Sequence, residues 1–123
     1  MNGYKTKDYG QPVKRYVQTM DLKADYELIR RYREAHDPQH FWAEIHDGIC
    51  SVGILGMEIY ILGNRLVMIV DAPVDFDWDS AMARLATLPR QAEWEAFVAQ
   101  FQQCSAEATS DEKWQMMERM FCL

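Results

Sequence analysis

The chain has no Gly-rich phosphate loop, no G-x-S-x-G elbow and no H-E-x-x-H. The usual signatures of nucleotide binding, serine hydrolysis and zinc proteolysis are therefore missing. Positive charge is scarce: 13 Lys and Arg stand against 19 Asp and Glu, for a net charge of −6. With no basic cluster to offset that balance, a nucleic-acid surface is not expected. No window approaches the roughly 18–20 apolar residues of a membrane span, and Met1–Pro12 is polar, without the apolar core of a signal peptide. The expected location is the cytoplasm. Cysteine is limited to Cys50, Cys104 and Cys122, an odd set with no C-x-x-C spacing. This reads as free thiols in a reducing compartment, each a small buried apolar residue and not a nucleophile.

What is present suffices for one domain. A 123-residue chain with 49% hydrophobic and 26% charged residues can bury a core without staples. Residues 1–12, ending in Gly10-Gln11-Pro12, read as a flexible arm, and 13–123 as the domain. Val13–Met20, rich in β-branched and aromatic types, predicts a first strand. Asp21 or Asp25 is placed to cap a helix whose stripe is Leu28, Ile29, Tyr32, Ala35 and His36. Asp37-Pro38 ends that helix, because the residue before proline is pushed out of the α region. Phe41, Trp42, Ile45 and Ile49 resume helical spacing, with Gly48 or Gly53 as the exit.

Ile54–Leu62 and Arg65–Asp71 flank Gly63-Asn64, a two-residue hairpin signal. Taken literally, that loop sets Leu62 opposite Arg65, Tyr60 opposite Val67 and Glu58 opposite Ile69. The other face then carries Met57, Ile59 and Ile61 opposite Val70, Met68 and Leu66, and must pack on helices. Helices follow from about Trp78 (with Met82, Leu85 and Ala86) and from about Gln91 to Gln102 (with Trp94, Phe97, Val98 and Phe101). Ser105–Lys113 reads as a polar loop, and Lys113–Leu123 as a last strand. The order β, α, β, β, α, β is the ferredoxin-like pattern, an α+β fold with a four-stranded antiparallel sheet and helices on one face. Nothing in the chain is left to cover the second sheet face, so a homodimer, giving a dimeric α+β barrel, is expected.

Chemistry concentrates in Tyr32–Glu44. Tyr32 and His36 are four apart, on one helix face just before the Pro38 break. A phenol and an imidazole there could exchange protons near neutral pH. His36, His40 and His46 do not argue for a metal, because Pro38 breaks the helix that would align His36 with His40; Glu44 is the nearest further ligand. No metal and no cofactor are expected. Trp42 and Trp94 read more as core than as platforms for a ligand. A non-catalytic ferredoxin-like module holding a small metabolite, and a cofactor-free monooxygenase, fit the same elements.

The run from Val13 to Leu123 resembles the L-rhamnose mutarotase family. The matching stretches are Lys-Arg-Tyr-Val-Gln-Thr-Met-Asp-Leu (14–22), Tyr-Arg-Glu-Ala-His (32–36) and Trp-Ala-Glu-Ile (42–45). Met-Glu-Ile-Tyr-Ile-Leu-Gly-Asn-Arg-Leu (57–66), Glu-Trp-Glu (93–95) and the tail Met-Glu-Arg-Met-Phe-Cys-Leu (117–123) continue it. The resemblance implies a ferredoxin-like dimer that interconverts the α and β anomers of a 6-deoxy sugar, L-rhamnose or a relative such as L-fucose. The family's helix Tyr and His fall on Tyr32 and His36, with the His as proton donor, and a Trp falls on Trp94. Three positions depart from the better-known branch: Met57 replaces a pocket Tyr, Glu95 the second of two Trp, and Ala43 a Pro. The resemblance thus implies His36 and Tyr32 as catalytic residues, with Trp94, Met57, Trp42 and Glu44 as substrate contacts. Mutarotation moves only protons, so it requires neither metal nor nucleotide.

Overall fold

The computed structural model describes residues 1–105 and 107–123. Four strands, β1 (Val13–Asp21), β2 (Gly56–Leu62), β3 (Arg65–Pro73) and β4 (Gln115–Met116), form one antiparallel sheet in the order β2-β3-β1-β4. Helices α1 (Tyr26–Ala35) and α2 (Ala43–Ser51) join β1 to β2. Helices α3 (Trp78–Leu85), α4 (Gln91–Ala99) and the single turn α5 (Ser110–Lys113) join β3 to β4. This is the ferredoxin-like arrangement expected from the order of elements.

The hairpin register is the one that the Gly63-Asn64 loop dictates: Leu62 pairs with Arg65, Tyr60 with Val67 and Met57 with Val70. Gly63 takes φ +60, the left-handed region a tight turn of this kind demands. Leu66, Met68 and Val70 of β3 and Gln18 and Met20 of β1 are buried beneath the helices. From the helix side come Tyr32, Ile45, Met82, Leu85, Trp94 and Val98. Alternation in the central strands therefore selects one sheet face for the core.

Local signals set the helix ends. The Asp25 carboxylate accepts from the Leu28 amide at 2.9 Å and caps α1, while Asp21 instead pairs with Arg65. The stripe Leu28, Ile29, Tyr32, Ala35 and His36 faces inward, and Glu27, Arg30, Arg31, Arg33 and Glu34 are exposed. Between α3 and α4, Arg90 adopts φ +64, turning the chain so that α4 begins immediately.

Three expectations need correction. The last strand is not Lys113–Leu123: pairing with β1 covers only Gln115 and Met116, followed by one bond from the Met117 amide to the Val17 carbonyl at 2.7 Å. Beyond it Met120, Phe121 and Leu123 are exposed, since the single chain offers no neighbouring strand for them. The segment Ser105–Lys113, expected as a polar loop, ends in α5, where Thr109 and Glu112 form a capping box. Ala106 of that segment lies outside the described residues. Among the thiols, Cys50 and Cys122 are exposed and Cys104 half-buried, so none is the buried apolar residue expected; all three are free.

The N-terminal arm, read as flexible, lies along the outer sheet face. The Tyr9 hydroxyl donates to Asp71 Oδ2 at 2.7 Å, Lys7 Nζ donates to the Leu55 carbonyl at 3.1 Å, and Tyr4 stacks on Tyr60. Arg15 closes on the same buried carboxylate, Nε to Asp71 Oδ1, at 2.8 Å. Gly56 makes room for Tyr9, since a Cβ there would clash with the phenol oxygen.

Candidate active site

α1 ends at Ala35, and His36 is its C-cap residue. Helical spacing sets the His36 ring 4.3 Å from that of Tyr32, centroid to centroid. The two rings pack at a tilt of 36° and do not hydrogen-bond through the phenol. His36 Nδ1 lies 2.8 Å from the Tyr32 backbone carbonyl. A carbonyl can only accept, so Nδ1 carries the hydrogen and Nε2 is left with its lone pair. Burial pushes the His36 imidazole below its ordinary range, a shift the Tyr32 carbonyl partly opposes. The ring is therefore neutral near pH 7. Burial pushes the Tyr32 phenol well up, against a lowering by the Gln102 side chain beside it.

Trp94, far along the chain, and Phe41, just past the Pro38 break, both pack on the His36 ring, with centroids 5.4 and 5.7 Å away. Such aromatic neighbours hold the imidazole in one orientation and keep water from it. The Pro38 break is what brings Phe41 back: the Phe41 amide donates to the Asp37 carbonyl at 2.9 Å, folding the α1–α2 link over the histidine.

His36 and Tyr32 line an inner cavity of about 80 Å³ between helices and sheet, and also an outer groove of about 250 Å³ lined further by Arg33, Ile59, Ile61 and Leu66. Of the six site residues expected, the cavity brings together His36, Tyr32, Trp94 and Met57. Met57, 36% exposed, stands at its sheet side. The other two are elsewhere. Trp42 stacks on Phe97 and carries the Arg90 guanidinium at 4.1 Å. Glu44, exposed, pairs with Arg90 at 3.4 Å. Helix α2 starts at Ala43, which directs both toward the α2–α4 surface and away from the histidine.

A second group of cavity residues escaped the sequence reading. Gln91 and Glu95 of α4 are 5% and 8% exposed, and both line the cavity. Glu95 Oε2 pairs with Lys113 Nζ at 2.6 Å, and Glu95 Oε1 accepts from Gln91 Nε2 at 2.8 Å. Lys113 Nζ also donates to the Glu95 carbonyl at 2.7 Å. Its side chain has no exposed surface. The signals in the sequence were the i, i+4 spacing of Gln91 and Glu95 on the helix that carries Trp94, and the place of Glu95 where the better-known branch has a Trp. Lys113, in a stretch read as loop, offered none. No group of three or more His, Cys, Asp or Glu among the described residues is arranged to hold a metal.

Comparison with known proteins identifies the family. The family model described as L-rhamnose mutarotase matches residues 15–123. An L-fucose mutarotase of Xanthomonas campestris pv. campestris is 34% identical over 111 residues, 90% of this chain and 89% of that protein. A UPF0734 protein of Dictyostelium discoideum is 37% identical over 91 residues, 73% of this chain and 71% of that one. The crystal structure of an L-rhamnose mutarotase from Formosa agariphila shares the fold, with a TM-score of 0.67 at 20% identity, covering 89% of this chain and 98% of that one. By the match to nearly its whole length, the chain belongs to the L-rhamnose mutarotase family and is a sugar mutarotase, an isomerase that interconverts anomers.

Proposed function

We propose that the protein interconverts the α and β anomers of L-rhamnose or a close 6-deoxy relative such as L-fucose, with His36 moving the proton. The observation that carries this reading is the 2.8 Å contact of His36 Nδ1 with the Tyr32 carbonyl, which leaves Nε2 as the free ring nitrogen of a cavity residue. Nε2 takes the proton of the anomeric hydroxyl. As the C1=O1 double bond forms, the C1–O5 bond breaks and its electron pair stays on the ring oxygen. That oxygen then receives the proton from the imidazolium, giving a neutral open-chain aldehyde. Rotation about C1–C2 and the reverse steps close the other anomer. Both oxygens are bonded to C1, so one imidazole reaches each in turn, and the family's proton-donor histidine is the second half of this cycle. General acid–base assistance of this kind is worth roughly 10²–10⁴-fold.

Trp94 and Met57 supply apolar walls suited to the C–H face and methyl group of a deoxy sugar, and Tyr32 holds the imidazole through its carbonyl. A homodimer accords with Met120, Phe121 and Leu123 standing free of the chain's own core. Light scattering that returns the mass of a single chain would count against it. No helix among the described residues is long and apolar enough to cross a membrane, and a cytoplasmic location remains our expectation.

Exchange NMR on L-rhamnose and L-fucose tests the reaction. We expect anomer exchange well above the buffer rate with the native protein and at the buffer rate with His36→Ala, folding retained. A native protein that leaves both sugars at the buffer rate would mean a binding module and not an enzyme.

A further inference from the structure

Mutarotation needs a proton carrier, which His36 supplies, but it does not explain why an ion pair is buried beside the same cavity. Removing a carboxylate and an ammonium from water costs several kcal/mol per ion, and a pair with apolar isosteres is often no less stable. Lys113 with no exposed surface against a Glu95 side chain 10% exposed is therefore an expensive arrangement for a simple structural tie. A second observation points the same way. Gln91 Oε1 is a buried acceptor with no partner within the described chain, because the amide's nitrogen is committed to Glu95. Buried acceptors are nearly always satisfied, so this one is left for something that arrives.

The wall is also one-sided in its chemistry. Glu95 accepts two hydrogen bonds, from Lys113 and Gln91, and a carboxylate can accept about four. Gln91 Oε1 adds another free acceptor. The Lys113 donors point back to Glu95, one to its carboxylate and one to its backbone carbonyl. What these three side chains leave over is mainly acceptor capacity, with the Ser110 hydroxyl in the same lining. A second cleft, of about 260 Å³, shares Gln91 and Glu95 with the inner cavity and opens beside residues 107–111, so the two side chains meet space on both sides.

We infer that Glu95, held by Lys113 and Gln91, is the residue that reads the hydroxyl pattern of the sugar: its carboxylate and Gln91 Oε1 accept hydrogen bonds from ring hydroxyls remote from the anomeric carbon. The inference rests on the mutarotase reading and deepens it. A charged acceptor rejects a ligand that offers a methylene or an anion where a hydroxyl belongs, because the acceptor is then left buried and unpaired. The substrate class is thus a neutral polyhydroxylated aldose, and carboxylated or phosphorylated sugars are excluded. Lys113 acts as a positioning residue, fixing the carboxylate.

The test crosses enzyme with substrate. Native protein and Glu95→Gln are assayed by exchange NMR on L-rhamnose and on its 2-, 3- and 4-deoxy analogues. The variant keeps an acceptor for Lys113, and circular dichroism verifies its fold. A hydrogen bond to a charged group corresponds to about a ten- to hundredfold loss in kcat/KM on L-rhamnose, carried mainly by KM. One deoxy analogue should lose far less than the others, since it lacks the hydroxyl that Glu95 reads. Equal losses on all four sugars would mean that the pair only holds the fold, and no loss would mean that Glu95 does not face the substrate; either overturns the inference. Should Glu95→Gln fail to fold, Gln91→Met carries the same comparison, with the same two overturning outcomes. A native protein that accelerates none of the sugars sinks the mutarotase reading itself, and this inference with it.

Discussion

The cavity has two unlike walls. On the α1 side His36 is neutral, wrapped by Tyr32, Phe41 and Trp94, and its one committed hydrogen bond goes to backbone 2.8 Å away. On the α4 side Gln91, Glu95 and Lys113 form a charged network reaching across 18 residues of chain. Both walls are buried, yet burial acts on them in opposite ways. On the first, desolvation makes the titrating group give up its charge and act as a base. On the second, a close counter-charge lets the carboxylate exist in the interior at all. A proton carrier must change its charge; a residue that recognises hydroxyls must keep it.

Breaking the first wall should have the largest effect. His36→Ala should remove the whole accelerated exchange, about 10²–10⁴-fold, while circular dichroism stays native. Breaking the second should show first in stability. Lys113→Met leaves Glu95 buried without its partner and should cost about 3–5 kcal/mol in urea unfolding, most of it recovered in Lys113→Met/Glu95→Leu. A destabilisation that the double variant fails to relieve would place the importance of Lys113 in packing alone.

pH separates the walls further. The folded-state pKa of His36 lies below the ordinary value near 6.5. The neutral, proton-accepting form therefore persists somewhat below that value, and the acid limb of the pH–rate profile should fall below 6.5. The stability consequence has the same sign. Between the two pKa values the unfolded chain binds more protons, so the His36 contribution is fully present above about 6.5 and declines as pH falls toward the folded value. His36→Gln should flatten that slope. An acid limb above 6.5 would contradict a desolvated histidine.

The smallest effects belong outside both walls. Glu44→Ala removes an exposed pair with Arg90 and should change stability by under about 1 kcal/mol and leave kcat/KM unchanged. A clear loss of activity would return Glu44 to the substrate. Asp25→Ala should cost about 0.5–2 kcal/mol through the lost α1 cap, again with activity intact.

Local periodicity made the first wall legible and left the second hidden. Tyr32 and His36 announce themselves because four residues make one helical turn, and the hairpin register follows from a two-residue loop. Met57 followed from that register. Trp42 and Glu44 stand apart from the cavity because both lie at the start of α2, whose orientation depends on the path from Pro38 to Ala43, and no pattern encodes that path. Glu95 stands out in the sequence only as an acid where the better-known branch has a Trp. Its partner lies beyond α4 in a segment whose composition says loop, and only packing shows that the ammonium is inside. Met120 and Phe121 point the other way: alternation suggests strand, yet among the described residues no strand lies alongside to pair with them.

The sequence by itself determined the order of the strands and longer helices, the β2–β3 register and the imidazole–phenol pair, because each is written in a short-range period that the backbone must obey. Only the tertiary structure decided which ring nitrogen of His36 is free, which aromatic rings enclose it and which carboxylate lines the same cavity. Those depend on close approaches between α1, α4 and residues 110–113, and such approaches are set by packing volume and by the need to satisfy buried charge, which no local pattern records.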